Sequence, residues 1–320
     1  MTKPIASLSL DLDDEWTYMK THGDAGWEEY PSYLSYAVPR ILDVLDEHDL
    51  KITFFIVAQD AAFAYNHEVL RMIPQRGHEV GNHTFHHDPW LHLYSEEQVH
   101  EELSRAEHYI HEATGERPIG FRGPGFSFSD TVLKVLAERG YQYDGSTFPN
   151  ILNPLARQYF LMTSNLSKEE RETRKGLFGS WKDGLRPNKP YTWQTQGKDL
   201  LEIPVTTMPL FKVPIHASYI LFLGTYSKAL ALAYWKTALT MCKLAGVQPS
   251  ILLHPLDFIG NDDTERLSFF PAMRVPAQQK IELMHDVFRL MKQRYEVLPM
   301  RDHAERLTQR GKLKATPIVA

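Results

Sequence analysis

The chain is predicted to fold as an α/β protein, a distorted (β/α) barrel of about seven parallel strands in a single domain. Three observations lead there. Short apolar runs alternate with amphipathic helical stretches through most of the 320 residues. No linker-like stretch divides the chain. The acidic and histidine clusters fall where apolar runs end, and in such a barrel the loops after the strands carry the chemistry.

The elements follow in order. Ala6 to Leu12 reads as a strand, and Tyr36 to His48 as a helix with Val38, Ile41, Leu42 and Leu45 on one face. Ile52 to Val57 (ITFFIV) is a continuous apolar run, as expected of a strand covered on both faces. His67 to Gln75 reads as a helix ended by Gly77. Ser95 caps a long helix to about Ala113, with Glu97 and Glu101 in its early turns. Ile119 to Arg122 is a short strand, and Ser129 to Glu138 a helix closed by Gly140. Strands follow at Leu201–Val205 and Ser250–His254, helices at Ser227–Ala245 and Ala277–Arg294, and a last strand near Tyr295–Leu298.

Residues 150–198 break the rhythm. This stretch holds Pro154, Pro187 and Pro190, a charged run from Lys168 to Lys175, and aromatics (Trp181, Tyr191, Trp193) expected to be exposed. A loop so long inside a compact domain is read as an insertion or lid. The domain is therefore taken as 1–320 with that insertion.

Composition excludes several classes. The formal charge of −5 is modest and no Lys/Arg block is present, which argues against a nucleic-acid partner. One cysteine, Cys242, cannot form an internal disulfide and reads as a core residue. The MTKP start lacks the pattern of a signal peptide, so a cytoplasmic location is expected. Ser218 to Leu239 is apolar and aromatic, but Gly224 splits it and Lys228 and Lys236 interrupt it. It falls short of the roughly 20 uninterrupted apolar residues of a membrane span. It reads as a buried helix, with a surface that meets lipid or an acyl chain as the minor alternative.

Four clusters could carry chemistry. Asp11, Asp13, Asp14 and Glu15 crowd a strand end, where acidic residues are poor strand formers. A solvated turn or a helix N-cap is the plain alternative. His83 and His87 are four apart, and on a helical turn they would share a face and could share a metal. Their neighbours His78, His86 and His92 are read as surface or supporting residues. Arg122, in FRGPGF, offers a fixed cation able to grip a carboxylate. His254 ends an apolar strand near Asp257 and is either a satisfied core residue or an acid–base group.

In this order the segments resemble the NodB-type polysaccharide deacetylases, carbohydrate esterases that remove N-acetyl groups from amino-sugar polymers. The matching pieces are SLDLDDEW, GHEVGNHTFHH, FRGPGF, YDGSTFP and ILLHP. They cover most of Ala6 to Asp144 plus the strand ending at His254, whereas Asn150 to Lys198 has no counterpart. The resemblance implies a distorted β/α barrel. It implies Asp11 as catalytic base, His83 and His87 as metal ligands, and Arg122 as the residue orienting the base. It further implies His254 as the acid that protonates the leaving amine and Asp144 as a support for the array. One departure stands out: the usual pattern is two adjacent aspartates before a glycine, and here the order is Asp11-Leu12-Asp13-Asp14-Glu15. Asp13 is then the expected carboxylate ligand, with Asp14 as the alternative.

The expected activity is metal-dependent hydrolysis of an N-acyl, chiefly N-acetyl, group on an amino sugar. A divalent metal is expected, zinc by default, with iron, cobalt or nickel also compatible with this ligand set. The expected partner is an N-acylated amino sugar, either a free precursor or one linked to lipid at the inner membrane face. Oligomeric state is not readable. Two other functions stay open: cyclic-amide hydrolysis like that of allantoinases on the same fold, and a binding relative without catalysis.

Overall fold

The structure, a computed structural model, describes residues 3–173, 181–195, 198–311 and 313–317. The strands are β1 Ile5–Leu12, β2 Thr53–Ile56, β3 Glu79–Asn82, β4 Gly120–Phe121 and β5 Tyr143–Asp144. They continue with β6 Tyr191–Gln194, β7 Leu200–Glu202, β8 Ser250–Leu253, β9 Glu296–Leu298 and β10 Ala315–Pro317. All ten share one sheet in the order β10-β6-β7-β5-β4-β3-β2-β1-β8, with β9 on β1. Only β6 against β7 is antiparallel among the described pairings.

The seven strands from β7 to β8 form the wall of a distorted (β/α) barrel. Its two ends meet through a short contact and not a full ladder. Thr206 N–H, four residues past β7, donates to Ser250 O at 2.9 Å, and Ser250 N–H donates to Thr206 Oγ1 at 2.9 Å.

β1 shows how the sequence builds this wall. Its residues alternate as Ser-Leu-Ser-Leu-Asp-Leu, and successive side chains of a strand point to opposite faces. Leu8, Leu10 and Leu12 join the main apolar core, to which the helix Leu34–Glu47 adds Val38, Ile41, Leu42 and Leu45. Ser7, Ser9 and Asp11 face the barrel interior, where polar groups must find partners. His303 Nδ1 lies 2.9 Å from Ser7 Oγ, and Arg122 Nη1 donates to Ser9 Oγ at 2.9 Å. Beside them, Glu79 accepts from Tyr143 Oη at 2.9 Å and from Arg301 N–H at 2.8 Å.

The structure differs from the pattern-based reading in four places. β3 (EVGN) and β5 (YD) carry no apolar run of their own; they are strands because their neighbours pair with them. At Gly81 an added Cβ would lie 2.5 Å from the Phe55 ring, so β3 can approach β2 only with glycine there. Gly224 does not split the apolar stretch: a helix runs through it over Ala217–Tyr226, while the second helix, Lys228–Ala245, starts where expected with Ser227 Oγ as its cap. Tyr191 and Trp193 are buried on β6 instead of exposed, because Trp193 Nε1 finds the Glu202 carboxylate at 2.9 Å. The expectation for the Trp181 side chain lies outside the described residues, as do 174–180 and 196–197 of the 150–198 stretch. Among the described residues no helix is long and apolar enough to cross a membrane, and Cys242 is buried.

Two buried histidines make folding stability depend on pH. His78 accepts from Ile52 N–H, and burial pushes its pKa down to about 4. His303, fully buried between Ser7 and Gln248, is pushed down to about 3. The unfolded chain therefore takes up protons below the ordinary histidine value of 6.5 that the folded chain refuses. These histidines contribute stability that rises from about pH 4 to about pH 6.5 and levels off above, whereas buried carboxyls held up by desolvation, Asp14 at about 7 among them, act in the opposite sense. In urea titrations across that range the wild-type midpoint is expected to gain on that of His303→Gln as pH rises; a difference that stays constant with pH would contradict the assignment.

Candidate active site

The polar residues gather at the carboxyl ends of the barrel strands. Asp11 lies in the last turn of β1 and Asp13 two residues on; His83 follows β3 and Arg122 follows β4. β8 pairs with β1 through Ser9↔Leu252 and Leu10↔Leu253, so the register brings His254 alongside Asp11.

Asp13, His83 and His87 converge. One ligand atom from each lies within 4.8 Å of the others, and all three residues are buried. His83 Nδ1 is 2.6 Å from Arg122 O, and a carbonyl only accepts, so Nδ1 carries the proton. His83 Nε2 lies 3.3 Å from Asp13 Oδ1, and His87 Nε2 lies 3.1 Å from the same oxygen. That oxygen is buried and makes no aligned hydrogen bond. A buried carboxylate oxygen between two imidazole Nε2 atoms is an arrangement that a cation would complete, and one carboxylate with two imidazoles is a familiar zinc donor set. Burial alone would raise the Asp13 carboxyl; His87 and His83 override it and hold it well below the usual carboxylate range.

The two histidines do not sit on a helical turn. They occupy an irregular loop in which Thr84 (φ +66°) and His87 (φ +54°) are left-handed, a costly conformation for such residues. The loop is held from outside. Thr84 N–H donates to Asn82 Oδ1 at 2.7 Å, and Phe85 and His86 N–H both donate to Glu102 Oε1. Glu102 also meets His86 Nδ1 at 2.6 Å, which places His86 as a prop of the loop and not a ligand. His92 is similarly tied to Ser127.

Asp11 is fixed by Arg122, which has no solvent exposure. Arg122 Nη1 donates to Asp11 Oδ1 at 2.6 Å, and its Nε donates to Gly145 O at 2.9 Å. The guanidinium carbon lies 4.4 Å from the centre of the Phe55 ring. Held this way, Asp11 turns Oδ2 toward His83 Nε2, 3.9 Å away.

Asp144 is placed elsewhere. It accepts from Ser146 N–H and Oγ and lies opposite Glu202 in the β5–β7 register. Burial raises both carboxyls, Glu202 well above its ordinary value with Asp144 beside it. Glu202 accepts from Thr147 N–H and Oγ1 as well as Trp193 Nε1. The pair thus holds the 145–147 turn, and Arg122 is reached through Gly145 O. Asp14 lies outside the histidine group. Its Oδ1 caps the helix Glu15–His22 and accepts from Tyr33 N–H, and burial raises it to about 7. Asp60, raised well above the usual range by burial and by Asp14, sits next to it with Trp16 Nε1 on its Oδ1.

His254 donates its N–H to Asp257 Oδ2 at 2.8 Å, and its Nδ1 is 3.2 Å from Ser218 Oγ. The turn it begins is gripped by cations from two helices. Buried Lys280 donates to Leu256 O at 2.9 Å and Ile259 O at 2.7 Å, and Arg40 donates to Phe258 O at 3.2 Å. Burial pushes Lys280 down to about 8. Glu102, Glu202, Ser218 and Lys280 were not anticipated from the sequence. For Lys280 a signal existed: it interrupts the apolar face formed by Leu283, Met284 and Val287.

Residues 22–143 match the family model described as Polysaccharide deacetylase. A peptidoglycan deacetylase from Helicobacter pylori is 27% identical over 157 residues, covering 47% of this chain and 52% of its own. The chain spans from about a third to about a half of the lengths of the first curated relatives it matches. A crystal structure from Mycobacterium smegmatis is similar over 100% of this chain and 94% of its own, at 20% identity and a TM-score of 0.64. Puue allantoinase is similar over 96% of this chain and 91% of its own, at 19% identity and a TM-score of 0.57. These structural likenesses establish the fold. The family match stops short of Asp11, Asp13 and His254, which geometry joins to the matched His83, His87 and Arg122.

Removing one partner of a buried ion pair leaves the other charge uncompensated, at about 3–5 kcal/mol. Arg122→Met should therefore lose that much unfolding free energy in denaturant titrations. Adding Asp11→Asn to it should recover part of the loss. A single variant as stable as the wild type would show that the pair does not hold the site.

Proposed function

From the match of residues 22–143 to the polysaccharide deacetylase family model, we propose that this chain hydrolyses the N-acetyl group of an amino sugar with the help of a divalent metal. The observation that carries the proposal is the buried Asp13 oxygen lying between the Nε2 atoms of His83 and His87 without an aligned hydrogen bond, next to an Asp11 pinned by Arg122. The donor atoms fit a metal, and Asp13, His83 and His87 would hold it. When bound, it would supply Lewis-acid polarisation of the amide carbonyl and acidify water, zinc being the default for this set.

The chain's own groups do the rest. Asp11 accepts the proton of the attacking water through Oδ2, since Oδ1 is engaged by Arg122. Arg122 pairs with Asp11 in a buried setting and fixes its direction. Oxygen adds to the carbonyl carbon, the C–N bond breaks, and the departing nitrogen takes a proton from His254. Asp257 and Lys280 hold the turn that presents His254. Asp144 and Glu202 act one step further away, by fixing the turn that bonds Arg122. The products are a carboxylate and a free amino sugar.

An N-acylated sugar is favoured over other amides by the family match and by the H. pylori relative's name. Residues 150–198 are read as an insertion in a single domain: β6 joins the common sheet, and Ile151 N–H donates to Lys212 O at 3.0 Å.

The test is acetate release from N-acetylglucosamine oligomers and from peptidoglycan fragments, with allantoin assayed alongside. Asp11→Asn should lower kcat by about 10²–10⁴-fold, the range expected for loss of a general base. His83→Ala with His87→Ala should abolish both activity and the metal found by elemental analysis of the wild type. Turnover of allantoin without acetate release would overturn the substrate assignment, and full activity of Asp11→Asn would overturn the mechanism.

A further inference from the structure

From Phe126, near the Arg122 loop, a file of rings runs past His254 and out along the helix Ala217–Tyr226. Ring centres are spaced 4.9 Å from Phe126 to Phe148, 5.8 Å to His216, 6.4 Å to Tyr219, 6.2 Å to Phe222 and 5.4 Å to Tyr226. His216 lies 6.4 Å from the ring of His254, so the file passes directly beside the proposed proton donor. Tyr219 and Phe222 are half-buried, and Tyr226 at the outer end is 72% exposed. Spacing of three and four residues puts Tyr219, Phe222 and Tyr226 on one face of the helix.

The chemistry of this strip selects its ligand. The helix reads ASYILFLGTY, with no charged side chain. Nearby hydroxyls are turned back onto the backbone, Thr225 Oγ1 onto Phe222 O and Tyr234 Oη onto Pro214 O. A polysaccharide track pairs aromatic faces with several polar groups for the sugar hydroxyls; here, apart from the Tyr219 and Tyr226 phenols, the strip offers rings and aliphatic carbon, and Leu230 beyond it is also exposed. A surface of this kind at the edge of a site marks an apolar ligand.

We propose that this ladder binds a long apolar chain carried by the substrate on its sugar, a fatty or isoprenoid aglycone. The proposal rests on the deacetylase reading for its starting point. In that reading His254 serves the departing amine, so the part of the track that leads outward from His254 lies on the sugar side of the scissile bond and not on the acyl side. That places the chain on the sugar.

The experiment compares dodecyl and methyl β-glycosides of N-acetylglucosamine below the micelle concentration, with N-dodecanoylglucosamine as a third substrate. The dodecyl glycoside is expected to exceed the methyl glycoside in kcat/KM by at least about tenfold, following the gain per buried methylene. In Phe222→Ser with Tyr226→Ser, one half-buried and one exposed position, that ratio should fall toward one. Equal rates for the two glycosides would overturn the proposal, as would preference for N-dodecanoylglucosamine or a chitotetraose preference lost in the variant. A wild-type dimer that the double variant dissolves would assign the strip to a second copy of the chain and also overturn it. If no glycoside is cleaved, calorimetric binding of the dodecyl glycoside to wild type and variant decides the matter without turnover: loss of binding in the variant supports the ladder, and equal or absent binding removes it.

Discussion

A guanidinium without access to water ties the inside of this barrel to its chemistry. Arg122 bonds Ser9 and Asp11 of β1 and Gly145 beyond β5, and it stacks on Phe55 of β2. A buried cation is tolerated only when it is paired and its donors are satisfied. The Asp11 carboxylate supplies the charge, and the serine and the carbonyl take further protons. The same contacts that make Arg122 affordable to bury hold Asp11 in place and aim it, so folding and the geometry of the proposed site share one set of bonds. Its backbone adds another link, because the Arg122 carbonyl sets the His83 tautomer.

Around this centre each reactive group has its own external prop. Glu102 holds the strained histidine loop, the Asp144–Glu202 pair holds the 145–147 turn, and Lys280 with Arg40 holds the turn after His254. Apart from the half-buried Arg40, each prop is an ionisable group buried behind the site. Such groups cost desolvation energy, but they fix geometry better than apolar packing can, because their hydrogen bonds are directional. The family match covers only part of this assembly, and the remainder comes from β1 and β8, brought in by strand pairing.

Much of this was legible in the sequence, and the exceptions have physical causes. The alternation in β1 and the apolar face of Leu34–Glu47 are strong periodic signals, and the structure places both as read. β3 and β5 were not legible as strands, since Glu-Val-Gly-Asn and Tyr-Asp have little strand preference and take their form from neighbouring strands. The positive φ angles of Thr84 and His87 are contrary to local preference, so no local rule could anticipate the loop that carries the histidines. The spacing of those residues suggested a shared ligand through helical geometry; the convergence exists, but a loop creates it. Among the aspartates, sequence left Asp13 and Asp14 as alternatives for the ligand. The placement of Asp14 as a helix cap against Tyr33 and Asp60 favours Asp13.

The most direct test of the account is the position of the metal, seen by anomalous diffraction from crystals of the protein loaded with zinc and measured on both sides of the zinc edge. The account predicts one strong peak within bonding distance of Asp13, His83 Nε2 and His87 Nε2, with Asp11 close by but not bonded to it. A zinc-loaded crystal with no peak there, or with its peak between Asp14 and Asp60, would contradict it.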